Sequence, residues 1–444
     1  MFFLKRAFYM SATLVIAATG ACGDDMNDAV DQGPPVGLSV VAATPGTAEG
    51  DFGRHPAIAL DGQGHPLVAW AFSDPDRDSS DADSKLTFVA WDRSTKSWKT
   101  PIDVDLVLDQ AGSQPAHSVA IAHDAQTNAI AIAYTKGLYQ LWLATSMDGG
   151  ATWATRRIDV SDAFNSEADP NREVAMPSIV LHAGEVHLTY QHRCIKATRN
   201  DVICGSVVDS DAIVYLHSAT LDGPLTESLS PSLAGTQDAR TVSSLALDGA
   251  GDPGVAFLLK ASNSAVGPEA YNTTVAFWRP GTGAIVEVTD SANIQNDDPS
   301  VSLAFAGTKP RIAMHLNSSS PQSHDLWFAD SDDGATWRLT GIARDGGDET
   351  SWWQSLVIGA QEESVIAASF GSSSGAGNFG GPKIFRSPDL TTWAPSSPDA
   401  EILPSFAGRY VRMTATASGK LYMVFQYTSD NASLPKGVVL WREP

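Results

Sequence analysis

The chain has 444 residues and a formal net charge of −22, from 51 acidic and 29 basic side chains. Such a surface repels nucleic acid and anionic lipid, and no basic run offsets it, so an anionic ligand would need a local arginine cluster. Hydrophobic residues make up 43% of the chain, enough for two or three ordinary domains or one large repeat array.

Lys5 and Arg6 precede a mostly apolar run over 7–18, which ends in Thr19, Gly20, Ala21 and Cys22. A basic start, a short apolar run and small residues describe a secretory signal over 1–21, not a membrane-spanning helix. The cysteine after Gly20 and Ala21 resembles a bacterial lipobox, with Thr19 where that family usually has Leu. The resemblance implies export to the cell envelope and a lipid anchor on Cys22, the only membrane attachment expected. The other reading is an ordinary signal peptide with a free cysteine. Residues 22–35 are acidic and polar and read as a flexible tether. In an oxidising compartment Cys194 and Cys204 read as a disulfide within one long loop, since two thiols at this spacing lack partner ligands for zinc.

From residue 36 to 444 the chain reads as one domain built on a repeat. Each unit opens with a short apolar strand, often after proline, at 56–61, 115–120, 177–181, 242–248, 299–304, 355–358 and 411–415. Second strands follow a turn at 67–70, 131–134, 186–190, 254–257, 311–314, 365–369 and 421–425. Third strands fall at 86–91, 138–144, 213–217, 274–278, 326–329, 383–386 and 437–441. Four short strands per unit, at a period of roughly 55–63 residues, predict propeller blades and an all-β fold. Seven units fit, and the last stops after its third strand. The apolar run 36–43 has no unit of its own, so pairing it with the last unit would close a seven-bladed β-propeller and hide two edges.

Between second and third strands lie long polar segments, read as loops, over 72–85, 191–211, 260–272, 315–325, 371–382 and 426–435, on the face where binding residues tend to gather. Ten of the twelve tryptophans fall at repeating positions and read as packing between blades. Trp352 and Trp353 fall outside that pattern and read either as a sugar-stacking platform or as a displaced core pair.

The segment Ser146 to Trp153 (SMDGGATW) suits a tight hairpin: Asp148 can accept backbone N–H groups, the glycines can take positive φ, and Trp153 returns an apolar ring to the sheet. Shortened variants run from Ser331 to Trp337 and from Ser387 to Trp393, with a worn copy from Ser94 to Trp98. The pattern S-x-D-x-G-x-T-W resembles the Asp-box, or BNR repeat, of the sialidase (neuraminidase) superfamily and related β-propellers. Sialidase catalytic domains are typically six-bladed, so the resemblance makes six blades the alternative count.

The same resemblance suggests site residues. Arg54, followed by His55 and Pro56, matches the R-I-P motif whose arginine binds the substrate carboxylate, with His in place of Ile. Asp78 and Asp81, in the acidic loop 74–83, match the place of the family's acid/base. That loop reads alternatively as a solvated surface or a weak Ca²⁺ site; no other metal or cofactor is expected. Arg240 and Arg409, also at unit entrances, would complete a three-arginine clamp, because a guanidinium fork holds a carboxylate bidentately. The family's tyrosine nucleophile has no motif match: no tyrosine occurs between Tyr271 and Tyr410. The ten histidines show no H-E-x-x-H spacing, and there is no G-x-S-x-G elbow. Two functions of different classes remain, with hydrolysis of other glycans by two carboxylates as a third. One is a sialidase-like glycoside hydrolase acting on terminal acidic sugars; the other is a non-catalytic propeller, a monomer, that binds a glycan or a surface protein.

Overall fold

The repeats are antiparallel meanders in the computed structural model of the protein, which describes residues 33–43, 51–73, 85–106, 118–136, 140–158, 172–194, 212–230, 237–262, 271–282, 284–289, 300–319, 322–343, 349–372, 379–396, 407–428 and 437–444. Blade one runs outward from Asp51–Leu60 through Pro66–Ser73 and Lys85–Asp92 to Ser97–Trp98, with Ile102–Leu106 also paired to its third strand. Blades two to six are four-stranded. Their innermost strands are Val119–Asp124, Arg172–His182, Gln237–Leu247, Val301–Ala306 and Glu349–Ile358.

Blade seven draws on both ends of the described chain. Ala407–Ala415, Leu421–Thr428 and Gly437–Arg442 supply three strands, and Gly37–Ala43 is the fourth, pairing Leu38 with Trp441 and Val40 with Val439. The Arg442 guanidinium donates to the Pro34 carbonyl at this seam. Pairing satisfies the backbone groups that two open edges would leave exposed. All seven innermost strands border one axial channel. The architecture is therefore a seven-bladed β-propeller, and the six-bladed alternative does not hold.

The core lies between blades, not within them, because each sheet has two faces to bury. Val41, Val68, Trp70, Val424 and Leu440 fill the wedge between blades seven and one. Val255, Phe257 and Trp278 of blade four close on Ile213 and Tyr215 of blade three. The repeating tryptophans sit in or against these wedges, as their spacing suggests.

The hairpins joining third to outer strands are hydrogen-bonded throughout. Ser146 Oγ accepts the Gly150 N–H at 2.9 Å, and Asp148 accepts the Thr152 N–H at 2.9 Å and its hydroxyl at 2.6 Å. Gly150 has φ +88°, and a Cβ there would lie 2.2 Å from the Phe88 ring of blade one. Trp153 meets that ring edge-on at 5.0 Å and donates its indole N–H to the Gly150 carbonyl. Asp333 and Asp389 repeat the arrangement, and Asp92 anchors the shorter turn of blade one.

One reading needs correction. Residues 315–319 and 322–325 are not loop: Lys309–Ser319 and Gln322–Ser331 are paired over these positions, Ser319 opposite Gln322. The stretch is polar, and polarity says nothing about whether a ladder continues once two strands are in register.

Candidate functional site

The first strand of each blade runs along the axis, and its beginning is distorted in a repeated way. His55, Met176, Val242 and Tyr410 occupy equivalent places and have φ of 49°, 51°, 45° and 57°. The strand pairing slips beside each of them, between Arg54 and Ala57, Ala175 and Ser178, Thr241 and Ser243, and Arg409 and Arg412. A left-handed backbone costs a residue with Cβ about 1–2 kcal/mol, and a β-branched valine tolerates it poorly. Strain of this kind persists where the surroundings impose it, and it concentrates at functional rims. His55 and Tyr410, at the junction of blades one and seven, meet with ring centroids 3.9 Å apart and planes tilted by 46°.

Just inside these bulges lies the channel, which encloses about 180 Å³. One position of each inner strand faces it at the same level: Ala57, Ala120, Ser178, Ser244, Ser302, Ser355 and Arg412. Six of the seven are small because seven strands converge there and leave little room. Ser178, Ser244, Ser302 and Ser355 each accept a backbone N–H from the next blade, from Leu245, Leu303, Leu356 and Met413 at 2.9–3.1 Å. These bonds couple neighbouring blades and leave four hydroxyl protons free to donate.

Arg412 is the exception. Its Nη1 donates to the Val411 carbonyl at 3.2 Å, and among the described residues no carboxylate pairs with it. Burial holds its pKa below the ordinary arginine value. Arg311, between blades five and six, is also lowered by burial, but Glu362 and Asp330 oppose the shift and Ser364 and the Glu362 carbonyl take its protons. Arg311 is a structural cation with its partners present. Arg412 is a cation among hydroxyl donors, a setting that favours an incoming anion.

The residues expected from the sequence are placed unevenly. Arg54 and Arg409 immediately precede the left-handed residues of adjacent blades, and Arg240 lies two before Val242 in blade four. Their side chains lie outside the described residues, as do those of Trp352 and Trp353, which sit where the pairing of blade six slips. Asp78, Asp81, Cys22 and Cys204 lie outside the described residues altogether, as does the Cys194 side chain. Arg412 and the four serines at its level were not singled out from the sequence. Aligning the seven first strands would have exposed Arg412, since it alone is charged at that level. One cluster among the described residues has atoms suited to a cation, Glu185, His187 and His217 on the opposite face.

No protein-family model matches the chain, and no curated protein does. Among solved structures, an α-L-arabinanase of Penicillium chrysogenum is 12% identical with a TM-score of 0.48, over 92% of this chain and 99% of its own. An α-L-arabinofuranosidase of Fusarium graminearum is 10% identical with a TM-score of 0.49, over 91% and 97%. A mutant of the NanB sialidase of Streptococcus pneumoniae is 13% identical with a TM-score of 0.47, over 92% and 70%. This chain is similar to these proteins at a level that leaves its fold resting on its own seven blades.

Proposed function

We propose that this protein is an exported propeller that binds acidic glycans at the strained mouth of its axial channel. The observation that carries the reading is Arg412, a guanidinium with no carboxylate partner among the described residues, level with four serine hydroxyls. Arg54 and Arg409, at the bulges of adjacent blades, add positive charge at the same end of the chain's inner strands. A sugar carboxylate suits a guanidinium fork, and ring hydroxyls suit the serines.

The test is a binding titration with sialylated and uronic-acid oligosaccharides beside neutral ones. Arg412→Ala should cost about 2–5 kcal/mol of binding to the acidic set and leave any neutral binding unchanged. Arg412→Lys should recover only part of it, because an ammonium lacks the fork. Equal binding of acidic and neutral sugars by the unaltered protein would reject the reading. Release of a fluorophore from a sialoside, run in parallel, reports hydrolysis; turnover lost in Asp78→Asn or Asp81→Asn would extend the function to an exo-glycosidase.

Export and anchoring belong to the same proposal, on the strength of the Cys22 motif and the acidic segment after it. Intact-mass analysis of the mature N-terminus should find an acylated Cys22, and a chain beginning elsewhere would remove the anchor. Non-reducing peptide mapping should find Cys194 joined to Cys204; two free thiols would refute the pairing.

A further inference from the structure

On the hairpin face of blade three, three side chains converge that share no sequence motif. Glu185 and His187 stand two residues apart on one strand, so they project from the same side of the sheet. His217 on the third strand is the register partner of His187. The carboxylate Oε2 of Glu185 lies 3.6 Å from His187 Nε2 and 3.2 Å from His217 Nε2, and all three atoms lie within 4.8 Å of one another. Ligands on a tetrahedral zinc ion stand about 3.4 Å apart. The cluster is thus nearly set for a metal without any backbone movement.

A second observation points the same way. His187 is 4% exposed, and its Nε2 has no hydrogen-bond partner among the described residues. At 3.6 Å the Glu185 oxygen is too far to serve as one. A buried polar nitrogen left unpartnered costs free energy that a metal–ligand bond would recover. The other ring nitrogen is already committed: Nδ1 lies 2.7 Å from the Tyr215 hydroxyl. With the proton on Nδ1 and the phenol oxygen accepting it, the Nε2 lone pair faces Glu185 and His217. Metal-binding histidines are oriented by such a partner on the second nitrogen.

We infer that Glu185, His187 and His217 form a divalent-metal site of the Zn²⁺ class, with Tyr215 as the positioning residue. Two imidazoles and one carboxylate suit zinc and its neighbours in the transition series better than calcium, which prefers oxygen ligands alone. Glu185 and His217 keep 43% and 34% of their side-chain surface exposed, so a fourth ligand can come from solvent. The site lies at the end of the strands away from the channel mouth, so it stands or falls apart from acidic-glycan binding.

The full chain, stripped with a chelator and dialysed, is titrated with Zn²⁺ by calorimetry and with Co²⁺ by visible absorption. One equivalent of each should bind, and Co²⁺ should show the strong visible bands of four-coordinate geometry. Glu185→Gln and His217→Gln, both at partly exposed positions, should lose those bands and bind Zn²⁺ at least about 100-fold more weakly. Tyr215→Phe keeps the ligands and removes their support, and should weaken binding about 10–100-fold. His123→Gln, at a half-buried histidine of blade two, should bind as the unaltered protein does. Failure of the unaltered protein to bind one equivalent would overturn the assignment. So would equal affinity in Glu185→Gln and His217→Gln, with folding confirmed for each variant by tryptophan fluorescence.

Discussion

The two ends of the blades are built differently. In the hairpin of blade two, Ser146 and Asp148 each accept a backbone N–H at 2.9 Å, Asp148 also accepts the Thr152 hydroxyl at 2.6 Å, Gly149 and Gly150 take positive φ values, and Trp153 locks the turn to blade one. At the channel mouth the positive φ values fall on His55, Met176, Val242 and Tyr410, none of them glycine, and the one charge facing the axis among the described inner-strand positions has no carboxylate. The hairpin face takes positive φ at glycines as well as at Lys96, Asn128, Ala183, Gln361, Glu362 and Leu390, in short turns; at the mouth every such residue among the described ones carries a Cβ and lies within a strand. The difference teaches where stability resides and where a ligand would be received, and each of the following changes probes one side of it.

The largest effect should come from the ring seam on which both faces depend. Deleting residues 36–43 removes the outer strand of blade seven and uncovers Val438 and Leu440, which are fully buried. Aggregation or a large fall in Tm is expected, measured by scanning calorimetry and light scattering. Stability equal to the full chain would show that closure lies elsewhere.

Next comes the hairpin of blade two. Gly150→Ala puts a methyl group 2.2 Å from the Phe88 ring at a φ of +88°, so either the ring or the turn must move. A loss of about 1–3 kcal/mol in denaturant unfolding is expected. A companion change at Gly281, where φ is +89° and no atom of the described residues lies within 4 Å of the new Cβ, isolates the conformational part and should cost about 1 kcal/mol.

At the mouth the sign should reverse. Arg412→Met removes a cation that burial penalises and that no described carboxylate compensates. Stability should stay level or rise by up to about 1 kcal/mol while acidic-ligand binding falls, since a half-buried charge with no described carboxylate partner is a cost to the fold. A marked destabilisation would mean that Arg412 has a structural partner and would remove the contrast between the two faces.

The smallest effect is local and depends on pH. Hydrogen bonds from the Thr152 hydroxyl, the Thr152 N–H and Ser146 lower the Asp148 pKa to about 2. Because the folded value lies below the ordinary 3.8, its contribution is present above about pH 4 and is lost as pH falls toward 2. Exchange of the Thr152 amide should quicken over that window, and Asp148→Asn should flatten the dependence.

How much was legible in advance follows the range of the interactions. The hairpins were readable because S-x-D, glycine and tryptophan interact within eight residues. The repeat was readable because each blade must bury two faces with the same alternation. Even the closing strand could be inferred, since the run 36–43 and the unfinished last unit each needed an edge. The pairing of 315–319 with 322–326 was misread because ladder hydrogen bonds do not depend on side-chain polarity.

What the sequence determined by itself was therefore the set of local elements and their number. The tertiary structure alone decided which residues meet. Arg412 reads as one residue in an ordinary strand until seven strands converge and crowd every other residue at its level down to alanine or serine. Glu185 and His187 meet His217 only because the second and third strands of blade three pair in one register and not its neighbour. A shift of one residue would turn His217 to the other side of the sheet. That register is set by packing between blades three and four, where Tyr215 lies against Leu245, Phe257 and Trp278, and packing over such distances in the chain is not written in the spacing of any motif.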